Sequence, residues 1–163
     1  MKKETYVKMM KSVSGSPLIY NLIVWVDRIL TRTVYLAYPL FLIVLFIQKD
    51  TGLIRAVLVP GISFIIVSVF RKMYDAPRPY VVFDTPSVIK KETLGKSFPS
   101  RHIFSIFIIA STVFRFFPTA GVLLGTAGVV MAASRVLGGV HFPKDVIAGA
   151  VVGIIFSVIG FAV

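Results

Sequence analysis

Long apolar runs separated by short polar clusters set the pattern of this chain. Residues 18–30 are apolar but short, and Asp27, Arg28 and Arg32 interrupt or follow them. Residues 33–48 form a stronger run, closed by Gln48-Lys49-Asp50-Thr51-Gly52. Residues 53–70 are the next, with Pro60-Gly61 predicting a bend. Three more follow: 103–117, stopped by Pro118; 120–137, rich in Gly and Ala and ended by Gly138-Gly139; and 145–163, with Ala148, Gly149, Gly153 and Ser157 on one face. Small residues let membrane helices pack closely. A spanning helix needs ~20 residues, so the pattern predicts an all-α, polytopic transmembrane bundle of about six spans, with 18–30 the shortest.

The polar stretches suggest how those spans are threaded. Residues 1–16 carry Lys2, Lys3, Lys8 and Lys11 and end at Ser14-Gly15-Ser16-Pro17, a basic tail leading to a helix start. Residues 71–98 are the longest polar connection, and loops of that length are usually functional or disordered. The short loops at 49–52 and 117–120 fall on one side and the polar clusters on the other. If 18–30 crosses, the basic N-terminus joins the short loops, and the positive-inside rule makes that side cytoplasmic. The expectation is a single membrane-embedded domain over 1–163, with 1–16 a cytoplasmic tail and 71–98 an extracytoplasmic active-site loop in a cell membrane.

Composition supports the membrane assignment and narrows the partners. Hydrophobic residues make up 56% of the chain and mean hydropathy is +0.88, beyond ordinary soluble composition. A net charge of +11 would suit nucleic acid. The basic residues flank apolar runs instead of covering a polar face, so lipid headgroups and anionic ligands are expected, and no nucleic acid. The absence of cysteine excludes disulfides and thiolate metal sites. Residues 1–11 lack the apolar core and cleavage site of a signal peptide, which leaves insertion to the internal spans.

Both histidines of the chain lie in three clusters at the ends of apolar segments. In the first, Arg71 and Lys72 precede Arg78, which sits between Pro77 and Pro79. Interfacial snorkelling and a basic clamp on phosphate both fit this cluster. In the second, Pro99-Ser100-Arg101-His102, Ser100 reads as a helix N-cap, with free N–H groups and a positive dipole end beside His102. A histidine at an interface, taken alone, is also an ordinary hydrogen-bonding surface residue. In the third, Ser134-Arg135 precede His141 and Asp145. Asp145, one turn inside a helix begun by Pro143, can orient a His141 imidazole as nucleophile or simply cap the helix. Taken together the clusters point to one site. Metal hydrolysis is disfavoured by two histidines and scattered carboxylates, and neither Ser100 nor Ser134 has the Gly-x-Ser-x-Gly elbow.

The three clusters, in this order, resemble the signature motifs of the type 2 phosphatidic acid phosphatase superfamily, which is related to bacterial acid phosphatases and vanadium haloperoxidases. The first motif is Lys, six residues, Arg-Pro: Arg78-Pro79 match, position 71 holds Arg, and Lys72 is one residue off. The second is Pro-Ser-Gly-His, matched by Pro99, Ser100 and His102 with Arg101 replacing Gly. The third, Ser-Arg, five residues, His, three residues, Asp, is matched in full by Ser134, Arg135, His141 and Asp145. The resemblance covers roughly residues 53–163. It implies a helical membrane bundle and a metal-independent lipid phosphate phosphatase with no cofactor. His141 would form a phosphohistidine, Asp145 would orient it, and His102 would protonate the leaving oxygen and then help to activate water. Arg71 or Lys72, Arg78, Ser100, Arg101 and Arg135 would hold phosphate. Undecaprenyl pyrophosphate, phosphatidylglycerophosphate and phosphatidate are the candidate substrates, with the first favoured for its charge. Tyr80, Phe83, Lys90, Lys91 and Lys96 of the long loop are candidates for headgroup selection. A non-hydrolytic lipid-phosphate binder or carrier is the alternative, motivated by the changes at 71 and 101.

Overall fold

The computed structural model describes residues 1–162. Its helices are α1 (Lys3–Ser14), α2 (Pro17–Ile47), α3 (Leu53–Tyr74), α4 (Pro79–Val82), α5 (Arg101–Phe116), α6 (Pro118–Leu137) and α7 (Pro143–Ala162), with no strand among the described residues. Prolines open α2, α4, α6 and α7, where a missing N–H costs nothing and φ is already helical. Four segments, covering α2, α3 with its extension to Val82, α6 and α7, are long and apolar enough to cross a membrane. Their outward faces carry large apolar side chains such as Leu36, Phe46, Ile54, Ile65, Val129 and Ile159, as lipid as solvent requires. The chain is an all-α membrane bundle, as the pattern predicted.

α5 is the axis of the bundle. It is 16 residues long, and Ile103, Phe104, Ile106, Ile108, Ile109 and Val113 are all buried against its neighbours. α7 lies against it with almost no space between. A Cβ on Gly149 would meet the Ser100 carbonyl oxygen at 2.7 Å, and one on Gly153 the Phe104 carbonyl oxygen at 2.7 Å. This contact brings the start of α7 onto the start of α5, where the Ser100 N–H donates to the Asp145 carbonyl at 2.8 Å.

Two details depart from the expected threading. Residues 18–30 are not a span of their own, because α2 runs unbroken from Pro17 to Ile47. At 1.5 Å per residue its 31 residues reach about 46 Å, beyond the ~30 Å hydrocarbon core. The charges at 27, 28 and 32 therefore lie near one interface of a single long helix, where the Arg28 guanidinium stacks 5.3 Å from the Trp25 ring centroid. Pro60 likewise stands inside a continuous α3.

The N-terminus is the second departure. Residues 3–14 form α1, whose Tyr6, Met10 and Val13 pack with Ile23 of α2 and Val88 of the long loop. The Tyr6 hydroxyl donates to the Gly139 carbonyl at 3.1 Å, with the Thr85 carbonyl 3.3 Å away. Gly139 has φ +76, and a side chain there would strike Met10 and the Tyr6 hydroxyl. α1 thus sits at the end of the bundle that carries the polar clusters, not with the short loops.

Candidate active site

The third cluster supplies the centre. His141 lies in the turn between α6 and α7, 1% exposed, and Asp145 follows in the first turn of α7, equally buried. Asp145 Oδ2 is 3.5 Å from His141 Nδ1 and accepts hydrogen bonds from the Ser97 hydroxyl (2.6 Å) and the Phe142 N–H (3.0 Å). Ser97 Oγ is also 3.4 Å from His141 Nδ1. Burial holds the imidazole well below its usual range, at about 4; the Asp145 hydrogen bond opposes that shift and the Arg78 charge adds to it. His141 is therefore neutral at pH 7. With its Nδ1–H toward the carboxylate, the Nε2 lone pair is left facing Arg78, whose Nη1 is 3.4 Å away.

Arg78 is fixed by its own backbone partners. Its Nε donates to the Gly95 carbonyl (3.1 Å) and Nη1 to the Val140 carbonyl (3.0 Å), so the guanidinium is buried and aimed before any anion arrives. Ser100 occupies the N-cap position of α5, but its side chain makes no capping bond. Its hydroxyl is buried and, among the described residues, has no hydrogen-bond partner. The α5 N-terminus leaves the N–H groups of Arg101, His102 and Ile103 open, a positive helix end toward the site.

Arg135, buried near the end of α6, is paired across the bundle with α2: its Nε is 2.6 Å from Asp27 Oδ1, and Nη2 donates to Thr31 Oγ1 at 3.3 Å. His102 is half-buried and faces a cavity of about 390 Å³ that runs between α2, α3 and α5. Arg101 stands at the same cavity with its guanidinium 5.6 Å from the Phe64 ring centroid. Deeper in, the walls are apolar, with Tyr38, Phe104, Ile108 and Met131.

The structure brings His141, Asp145, Arg78, Ser100, Arg135 and His102 to one end of the bundle. It does not bring Lys72, which is exposed at the foot of α3. Arg71 is buried but turned to the loop, donating to the carbonyls of Lys96, Ser97 and Pro99. Ser134 donates to the Met131 carbonyl at 2.9 Å and faces its own helix. Sequence reading missed Ser97 and Asp27. For Asp27 a signal was present, since a carboxylate inside an apolar run implies a partner. For Ser97 there was none. Among the described residues no group of three His, Cys, Asp or Glu side chains gathers to hold a metal.

The fold is that of a membrane-embedded helical bundle with the three polar clusters gathered at one end. The chain belongs to the PAP2 superfamily, whose family model matches residues 52–163. It is 26% identical over 133 residues to the bacitracin transport permease protein BcrC of Bacillus licheniformis, spanning 78% of this chain and 66% of that protein's length. The crystal structure of LpxE from Aquifex aeolicus superposes with a TM-score of 0.75 at 24% identity, covering 96% of this chain and 94% of that one. A PAP2-type phosphatidylglycerolphosphate phosphatase from Bacillus subtilis gives a TM-score of 0.64 at 21% identity, covering 97% and 91%.

Proposed function

We propose that this chain hydrolyses a lipid phosphomonoester or pyrophosphate through a phosphohistidine, without a metal. The observation that carries the reading is the His141 imidazole: neutral, with Nδ1 toward Asp145 and Nε2 toward the Arg78 guanidinium, at the end of the bundle where His102 lines an apolar cavity. A phosphoryl group held by Arg78, Arg135, the Ser100 hydroxyl and the α5 N–H groups would lie against Nε2. His141 attacks phosphorus and the P–O bond to the lipid or lipid phosphate breaks; His102, held at about 2 in the empty site by burial and by the Arg135 and Lys91 charges, takes up a proton as the phosphate anion binds beside it and gives that proton to the leaving oxygen. Water, relieved of a proton by His102, then cleaves the P–N bond and releases phosphate.

The cationic excess around the site favours a strongly anionic headgroup, and a polyisoprenyl pyrophosphate such as undecaprenyl pyrophosphate leads over phosphatidylglycerophosphate and phosphatidate. The long cavity between α2, α3 and α5 would take the first part of the lipid tail. The site is proposed to open on the extracytoplasmic face of a cell membrane, and the lysines of α1 and the long loop at that end would meet the headgroups of the leaflet that holds the substrate. The permease name of the Bacillus licheniformis relative points to the second reading, a carrier that binds lipid phosphate without hydrolysis. A neutral, oriented nucleophile has no purpose in a carrier, which favours hydrolysis.

The test is phosphate release by the purified protein in detergent with EDTA, from each of the three lipids, with His141→Ala alongside. Release that survives the chelator and disappears in the variant is expected. Tight lipid-phosphate binding with no release would replace hydrolysis by the carrier reading.

A further inference from the structure

The lysine position of the first signature motif holds Arg71, and that guanidinium is occupied by the carbonyls of Lys96, Ser97 and Pro99. Lys72, the neighbouring candidate, is exposed. If the chain is the phosphatase proposed above, the cation that those positions do not supply must come from elsewhere. We infer that Lys91, from the loop between α4 and α5, contacts the substrate phosphate in place of the motif lysine.

The loop is pinned so that Lys91 lies against the site end of the bundle. Val88 is buried in the cluster built around Tyr6 and Met10. The Ile89 N–H donates to the Gly138 carbonyl at 3.1 Å, and the Ile89 side chain packs so close that a Cβ on Gly138 would meet its Cδ1 at 2.4 Å. Gly138 is one turn beyond Arg135, so the loop is clamped directly over that arginine. Two residues later Lys91 is half-buried, while Lys90 and Glu92 on either side are exposed. The charges that face it come from four elements: Arg135 of α6, Asp27 of α2, Arg78 before α4, and Arg101 with His102 at the start of α5.

Charge balance then calls for an anion. Asp27 is flanked by Arg135 and Lys91, and Lys91 in turn by Arg78, while Asp145 is committed to His141 and Ser97. A half-buried group of three cations and one carboxylate is strongly favoured to bind a phosphate dianion. Burial first, and then the Arg135 and Arg78 charges, lower the Lys91 ammonium to about 8, with Asp27 opposing. A bound phosphate would reverse that shift, so lysine charge and substrate binding are linked. In the empty site Lys91 is charged below pH 8 and loses its proton above it, which weakens anion binding as pH rises.

The experiment uses the whole protein in detergent and two probes. Orthovanadate binding, followed by thermal shift, needs no turnover; KM for the best lipid phosphate is the second readout. Lys91→Ala is expected to weaken vanadate binding and raise KM by about 10- to 100-fold, the range for losing a hydrogen bond to a charged group. Lys144→Ala, an exposed lysine at the same end, should change neither. Wild-type KM should climb above pH 8, and Lys91→Arg, charged throughout, should restore binding and remove that climb. Wild-type vanadate affinity in Lys91→Ala, or a pH climb that persists in Lys91→Arg, would overturn the inference, as would a wild type that binds no vanadate. Vanadate binding lost in Lys91→Ala while the wild type releases no phosphate would keep the anion contact and sink hydrolysis instead.

Discussion

At the scale of residues, Ser97 is the group that turns a histidine–carboxylate pair into a fixed one. Its hydroxyl donates to the same Asp145 oxygen that faces His141, so the carboxylate is held from two directions before it meets the imidazole. Ser97→Ala should lower kcat about tenfold with little change in KM, because the hydrogen bond lost acts on the proposed nucleophile and not on the lipid; Ser97→Thr should recover part of the rate. Equal loss in kcat and gain in KM would mean that Ser97 shapes the substrate pocket. The neighbouring sequence explains what could be read in advance. His141 and Asp145 are four residues apart around Pro143, so local helix geometry alone brings them together. Ser97 reaches Asp145 only because α5 and α7 touch along Gly149 and Gly153, a contact with no local signature. Arg71 shows the converse: its spacing to Arg78 was legible, but three loop carbonyls take up its donors.

At the scale of elements, α2 contributes more than a membrane anchor. Asp27 and Thr31, one turn apart on this helix, receive Arg135 from α6. Removing one partner of a buried pair costs about 3–5 kcal/mol, whereas replacing both by apolar groups of similar size is often neutral. Asp27→Leu should therefore lower Tm markedly. Asp27→Leu with Arg135→Met should return Tm toward the wild type while phosphate release stays lost, since the guanidinium proposed to hold phosphate is gone. Restored activity in the double variant would remove Arg135 from the site. α2 was also where sequence reading divided one element into two. The charges at 27, 28 and 32 lower hydropathy where a long helix passes through an interface, and a window of membrane length cannot distinguish that from a loop.

At the scale of the whole molecule, the end that carries the site also carries α1, and this decides how orientation must be tested. The expectation of a cytoplasmic N-terminus rested on residues 1–16 lying with the short loops, an argument that α1 removes. Because the chain has no cysteine, a single one can be introduced as a clean reporter. Ser12→Cys, on exposed α1, should react with a membrane-impermeant maleimide in intact cells, and Lys49→Cys, in the opposite turn, should react only after permeabilisation. The reverse pattern would place the site on the cytoplasmic face. The bundle itself was readable because lipid imposes long apolar runs, and the site because its motifs lie where those runs stop. The placement of α1 depends on the Tyr6 hydroxyl meeting the turn at Gly139, near the far end of the chain. That contact has a temporal side. The ribosome delivers α1 before its seat, which is built from residues 83–89 and 139, so α1 must wait at the membrane surface until α6 has been inserted. Completion of the site is thus a late event in biogenesis, and a half-inserted chain carries Arg78 without His141 and Asp145.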